Sequence, residues 1–167
     1  MPTQFAVDTN FLMDCAHPKD VAHDAREVIR RRVAGAQILI TPTAFDELVH
    51  KATNAPDLKT RKLANAALRG MEGWGVIPVE LSDLQIIFAR NIARKLLDQS
   101  IIPADERNDA LILAEAAVLG CQLLISSDSD LCDANQGRLA LALQACGVSV
   151  VLVFSPAKIV REFAGRR

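Results

Sequence analysis

Phe5-Ala6-Val7-Asp8-Thr9-Asn10, followed by Phe11-Leu12-Met13, is the stretch whose reading decides the architecture. A short apolar run stops at a carboxylate, passes through two small polar residues, and then turns apolar again. A near-continuous apolar run is the pattern of a strand buried on both faces, as in a parallel sheet. Such a strand delivers Asp8 to the carboxyl edge of the sheet, where open α/β folds place their crevice.

Outward from that strand, apolar strands alternate with helical periodicity. Pro18 to Ala34 has helical spacing, with Val21, Ala25, Val28, Ile29 and Val33 on one face and Arg26, Arg30 and Arg31 largely outside it. Ile38-Leu39-Ile40 reads as a buried strand, and Thr41-Pro42-Thr43 as a helix start with proline in the first turn. That helix runs to about Ala52, and a second follows from Pro56 to Gly70. Val76 to Val79 is a short strand, expected at a sheet edge because Pro78 lacks a donor.

Ser82 and Asp83 are candidate caps for a helix reaching about Gln99. Ile101-Ile102-Pro103 reads as a linker, and a helix from about Ala104 to Leu119 ends at Gly120. Leu123-Leu124-Ile125 and Val148 to Phe154 are strands, Leu139 to Cys146 is a helix, and Ser155-Pro156 opens a terminal helix. Strands alternating with helices predict a Rossmann-like three-layer α/β/α fold with a central parallel sheet of about five strands.

Composition agrees. The chain has 167 residues, 50% hydrophobic and only 23% charged, which suits one domain over residues 1–167 with a substantial core. A net charge of -1 excludes a global basic field, though not a local basic rim. Cys15, Cys121, Cys132 and Cys146 form no CxxC pair or metal-ligand spacing, so reduced thiols and a cytoplasmic location are expected. Gln4 and Asp8 interrupt the only early apolar run, and Glu115, Gln122, Gln144 and Gly147 break the later ones. No signal peptide or membrane span is expected.

The acids then fall into a pattern. Asp8 ends the first strand, Glu47 lies in the first two turns of the helix after Ile38-Leu39-Ile40, Asp109 lies early in a later helix, and Asp128 follows Leu123-Leu124-Ile125 after two serines. All four are expected near one rim. Taken singly, each has an ordinary explanation: Asp8 as a helix N-cap, Glu47 as a solvated helical acid, Asp109 as a first-turn acid, Asp128 as part of a turn. Together, clustered carboxylates call for a neutralising cation or for proton uptake. Oxygen donors without His or Cys select a hard ion, Mg²⁺ or Mn²⁺.

Four segments resemble the motifs of the PIN domain, in order and over about residues 4–131. They are Val7-Asp8-Thr9-Asn10, the Glu47-Leu48 step, Asn108-Asp109-Ala110-Leu111, and Ile125-Ser126-Ser127-Asp128-Ser129-Asp130-Leu131. Leu131 stands where the family often has Phe, and Ser126 where it often has Thr. The resemblance implies a divalent-metal-dependent ribonuclease that cuts RNA with a metal-activated water. Asp8, Glu47, Asp109 and Asp128 would be its catalytic and metal-binding acids and Asp130 a further metal ligand, with Asn10 and Ser126 in support.

By the same resemblance the chain would be the toxin of a type II toxin–antitoxin pair, inhibited by a cognate antitoxin protein and homodimeric. The alternative is a PIN-fold RNA-processing or RNA-binding protein that is not a toxin and need not be catalytic. Two other acid-edged folds fit less well. A phospho-receiver needs an acceptor Asp on a middle strand and a late strand-terminal Lys, and a haloacid-dehalogenase-type phosphatase needs an Asp where Asn10 stands. Arg30-Arg31-Arg32, Lys59/Arg61/Lys62, Arg90/Arg94/Lys95 and Arg161/Arg166/Arg167 are candidate RNA contacts, each weighed against ordinary solvated cations.

Overall fold

The strands of the computed structural model, which describes residues 2–17 and 20–164, are β1 (Gln4–Val7), β2 (Gln37–Ile40), β3 (Val76–Pro78), β4 (Leu123–Ile125) and β5 (Leu152–Phe154). They form one all-parallel sheet in the order β3-β2-β1-β4-β5. The helices are α1 (Thr9–Cys15), α2 (Val21–Arg32), α3 (Pro42–Asn54), α4 (Leu58–Gly70), α5 (Asp83–Asp98), α6 (Arg107–Val118), α7 (Ser129–Cys132), α8 (Gln136–Ala145) and α9 (Pro156–Ala164). The α/β/α architecture with a five-stranded parallel sheet is the one expected from the sequence.

From β1 the chain steps outward to β2 and β3, then crosses back to β4 and β5 on the other side. Right-handed crossovers make that reversal carry the second set of helices to the opposite face. Accordingly α2 packs on α9 and on α1, and α1 on α4, while α5 packs on α6 and α8. Phe5, Ala6, Val7, Leu39, Ile40, Leu124 and Ile125 are all buried between these layers. Burying each larger side chain stabilises the fold by about 1.5–3 kcal/mol. The strand order reverses between β1 and β4, and a parallel sheet opens its crevice at the carboxyl ends there. Val7 is paired with Ile125 across that boundary, and the Asp8 amide donates to the Ile125 carbonyl at 3.2 Å.

β3 is indeed an edge strand, and its edge is closed chemically. Val79 donates to Ile40, so the alternate amides at 76 and 78 face away from the sheet. Val76 spends its N–H on the Met71 carbonyl at 2.9 Å, and Pro78 has none, which leaves no outward donor for a stray strand.

Several boundaries differ from the sequence reading. Thr9–Cys15 is a helix in its own right, because Asp8 caps it immediately after the strand. The expected start of the next helix at Pro18 lies outside the described residues, and α2 begins at Val21 with Asp20 as its cap. Arg26, expected outside the apolar face, is buried; its guanidinium sits 5.3 Å from the Trp74 ring centroid, with Glu27 at 3.3 Å. Ser82 caps α5 in a capping box with Gln85, while Asp83 is the first helical residue. α6 starts at Arg107 rather than Ala104, and Ile101 and Ile102 ahead of it are core residues rather than a free linker. Gly120 takes φ +77° just past α6, as its C′ position requires. Asn135 caps α8 and moves its start forward to Gln136. β5 begins only at Leu152. All four cysteines are free thiols.

Candidate metal centre at the carboxyl edge

Asp8 leaves β1 at the switch point and is 3% exposed. Its two oxygens have separate tasks. Oδ1 accepts from the Phe11 amide at 2.7 Å, capping α1, and Oδ2 accepts from the Ser126 hydroxyl. The capping role and a site role therefore coexist on one carboxylate. Burial pushes its pKa up to about 7, against the pull of the Ser126 and Phe11 hydrogen bonds and with the help of the Asp128 and Glu47 charges.

Ser126, fully buried just past β4, also accepts from the Asp128 amide at 2.9 Å. It thus ties the ends of β1 and β4 together. Asp128 turns its own carboxylate onto the Asp130 amide at 2.8 Å and caps α7. Asp130 is exposed and contributes to the acidic field chiefly around Glu106.

Glu47 and Asp109 approach from the helices. Thr43 at the start of α3 bonds Glu115 late in α6, and the Glu47 charge acts on Asp109, so α3 and α6 run antiparallel there. Asp109, in the first turn of α6, has its Oδ2 buried without a hydrogen-bond partner. Burial first, then the charges of Asp128, Glu106, Asp8 and Glu47, push its pKa up to about 7. Glu47 is paired with Lys51 at 2.9 Å, and the Lys51 ammonium also donates to Asn10 Oδ1 at 3.1 Å. Thr9 fixes the same corner by donating to the Ala44 carbonyl at 3.0 Å.

Asp8, Ser126 and Asp128 are thus joined by direct hydrogen bonds, whereas Glu47 and Asp109 share their electrostatic field. Among the described residues no three His, Cys, Asp or Glu side chains stand close enough to hold an ion between them. The donor chemistry nonetheless fits a hard divalent ion: an all-oxygen rim, an orphaned buried Asp109 oxygen, and two carboxyls whose ionisation burial opposes.

Two acids escaped the sequence reading. Glu106, at the N-cap of α6, has a raised pKa, chiefly through desolvation and then through Asp105, Asp130, Asp128 and Glu47. Glu115 is buried in the core, where Oε1 accepts from the Thr43 hydroxyl at 2.7 Å and Oε2 from the Thr43 amide at 3.1 Å. It satisfies the α3 N-terminus that Thr41 leaves without a side-chain cap. The signal in the sequence was an acid within the apolar run 110–117, which helical periodicity alone places in the core.

The model of the PIN domain family matches residues 5–136. Three solved structures share the fold. VapBC2 from Rickettsia felis, bound to a DNA fragment from its promoter, aligns with TM-score 0.61 at 13% identity over 92% of this chain and 98% of that one. VapBC-1 from nontypeable Haemophilus influenzae aligns with TM-score 0.61 at 14% identity, over 93% and 100%. VapBC-5 from Mycobacterium tuberculosis, a member of the VapBC family of toxin–antitoxin systems, aligns with TM-score 0.55 at 18% identity, over 92% and 99%. No curated protein matches the sequence significantly. With the family model matching residues 5–136, most of its length, this chain belongs to the PIN-domain family.

Proposed function

We propose that the protein is a divalent-metal-dependent endoribonuclease whose acids are Asp8, Glu47, Asp109 and Asp128. PIN-family proteins are nucleases, and this chain has their fold. The observation that carries the assignment is the buried, unpartnered Asp109 Oδ2, within the electrostatic reach of Asp8, Asp128 and Glu47. An orphaned carboxylate oxygen among other acids is costly unless a cation or a proton meets it.

Asp8 Oδ2, Glu47, Asp109 and Asp128 would hold Mg²⁺ or Mn²⁺, with Asp130 as an outer ligand. An ion held there would supply an activated water and charge neutralisation for hydrolysis of a phosphodiester. The chain's own residues prepare the site. Ser126 orients Asp8 and Asp128 at once. Lys51, held by Asn10 beside Glu47, would offer its ammonium to a phosphate oxygen of the substrate. Asp8 and Asp109 must lose their protons before they can ligate, so cleavage should rise with pH through about 7.

The biology that fits this reading is the toxin of a type II toxin–antitoxin pair, acting in the cytoplasm as a homodimer and restrained by an antitoxin that covers the rim. The solved structures with the same fold are VapBC toxin–antitoxin proteins. Among the described residues no helix is long and apolar enough to cross a membrane.

The test is cleavage of labelled RNA in Mn²⁺ or Mg²⁺, with EDTA as the control. Asp8→Asn should abolish cut product while circular dichroism shows the fold intact; undiminished cleavage by that variant overturns the assignment. One observation favours a second, non-catalytic RNA-binding reading: Lys51 already engages Glu47. Wild-type protein that binds RNA but leaves it uncut in either ion would select that reading.

A further inference from the structure

A cavity of about 620 Å³ opens between α3 and α4, lined by Ala52, Thr53, Leu58, Arg61, Lys62, Asn65 and Arg69. It contains three cations and no acid. Among the described residues none of these cations makes a salt bridge, and Arg61 Nε is buried with no hydrogen-bond partner. Asp57, the N-cap of α4, gives its carboxylate to the Thr60 amide at 2.7 Å and meets Arg61 only through its field, without an ion-pair contact. Asn65 fixes the floor by donating to the Ala52 and Arg61 carbonyls, both at 2.9 Å, which locks α4 against α3.

Other basic clusters are engaged differently. Arg26, Arg30 and Arg31 converge on Glu27, and Arg161 on Glu162; Arg166 and Arg167 lie outside the described residues. Arg94 bonds Asn91 and Lys95 the Cys146 sulfur, on a helix that lines none of this cavity. Buried guanidinium nitrogens without partners are costly, and an incoming anion repays that cost.

The cavity shares helix α3 with the acidic rim. Thr53 follows Glu47 by six residues on α3, a rise of about 9 Å, with Lys51 between them reaching toward Asn10. From these observations we infer that the α3–α4 groove is the RNA backbone subsite: Arg61, Lys62 and Arg69 hold phosphates of the strand next to the one at the acidic rim. The inference rests on the nuclease reading for its ligand, while its charges and cavity are independent of it. A lone phosphate could use the same donors, but three cations in one groove without an ion-pair partner among the described residues suit a polyanion better than a single phosphate.

Binding of fluorescein-labelled single-stranded RNA by the whole protein, in EDTA so that nothing is cut, tests it by fluorescence polarisation over a range of salt. Each phosphate neutralised on a single strand contributes about 0.7 to the log–log salt slope. The triple variant R61Q/K62Q/R69Q should therefore lower the slope by up to about 2 and weaken binding at least ~10-fold at low salt. The control triple R30Q/R31Q/R161Q, whose cations already pair with Glu27 and Glu162, should change neither. Unchanged binding by the groove variant, or equal losses in both, overturns the subsite. If inorganic phosphate at millimolar concentration displaces RNA as well as a second RNA oligonucleotide does, the groove is a simple anion site and the proposal fails.

Because the triple could perturb α4, a second measurement uses the wild type alone. RNA should protect Lys62 from acetylation, read by mass spectrometry, more than it protects Lys158. Equal or absent protection overturns the inference. Loss of the slope change with RNA cleavage intact would remove the groove and spare the nuclease, whereas cleavage lost in Asp8→Asn with the slope change preserved separates the two the other way.

Discussion

Two acids on the same helix, six residues apart, meet opposite fates. Glu115, in the last turns of α6, is buried and receives two hydrogen bonds from Thr43, so its carboxylate is a joint between α6 and α3. Asp109, in the first turn, is only half-buried, yet its Oδ2 has no partner and four other acids act on it. A satisfied buried carboxylate adds to the fold; an unsatisfied one among like charges weakens it and persists where something else is gained. The contrast teaches that burial alone does not mark function. In the proposed metal site the distinguishing feature of Asp109 is burial without a partner.

The widest separation should come from removing the two carboxylates in turn. Asp109→Asn is expected to cut metal-dependent RNA cleavage by at least ~100-fold while leaving the metal-free protein as stable as the wild type or more so. Cleavage rates beside thermal melts in EDTA measure both; wild-type cleavage would end the distinction between the two ends of α6. Glu115→Ala should act the opposite way. It strands the Thr43 amide and leaves a gap, costing about 2–4 kcal/mol, which is roughly 10 °C in Tm for a chain of this size. Glu115→Gln, which keeps one acceptor, should lose less. A Tm unmoved by Glu115→Ala would refute the joint.

A pH series sharpens the same comparison. Asp8 and Asp109 have folded-state pKa values raised from 3.8 to about 7. The folded state therefore binds more protons than the unfolded one between about pH 4 and 7, and stability falls as pH rises through that window. The Tm of the metal-free protein should drop from pH 5 to pH 8 by several degrees. Millimolar Mn²⁺ should recover it mainly at the upper end, where the carboxylates are ionised. A metal-free Tm that climbs over that interval contradicts the raised pair.

The smallest effect should come from Lys51. Its bond with Glu47 is a partly exposed i,i+4 pair, worth about 0.3–0.5 kcal/mol, so Lys51→Met should barely move the Tm. It frees Glu47, however, and Mn²⁺ titration followed by electron paramagnetic resonance should show binding no weaker than wild type. Weaker Mn²⁺ binding would mean that Lys51 positions Glu47 for the ion rather than competing with it.

The chain's own pattern carried the parallel sheet, the edge strand with its proline, the Ser82 cap and the Gly120 stop, because each depends on local periodicity or on one residue's backbone chemistry. It also carried Asp8 to a strand end and Asp128 to the turn after another, since a short apolar run leaves little choice about where it finishes. Long-range partnership was not legible there. Nothing near Arg26 in the sequence points to Trp74, nothing near Glu115 points to Thr43, and Ser126 lies 118 positions from the aspartate it orients. The reversal of strand order between β1 and β4, the antiparallel run of α3 beside α6, and the orphaned oxygen of Asp109 exist only once the helices are packed. Periodicity records which face of an element is apolar. It is silent on which neighbour covers that face, and so the long-range partners of the buried charges were decided by the tertiary fold.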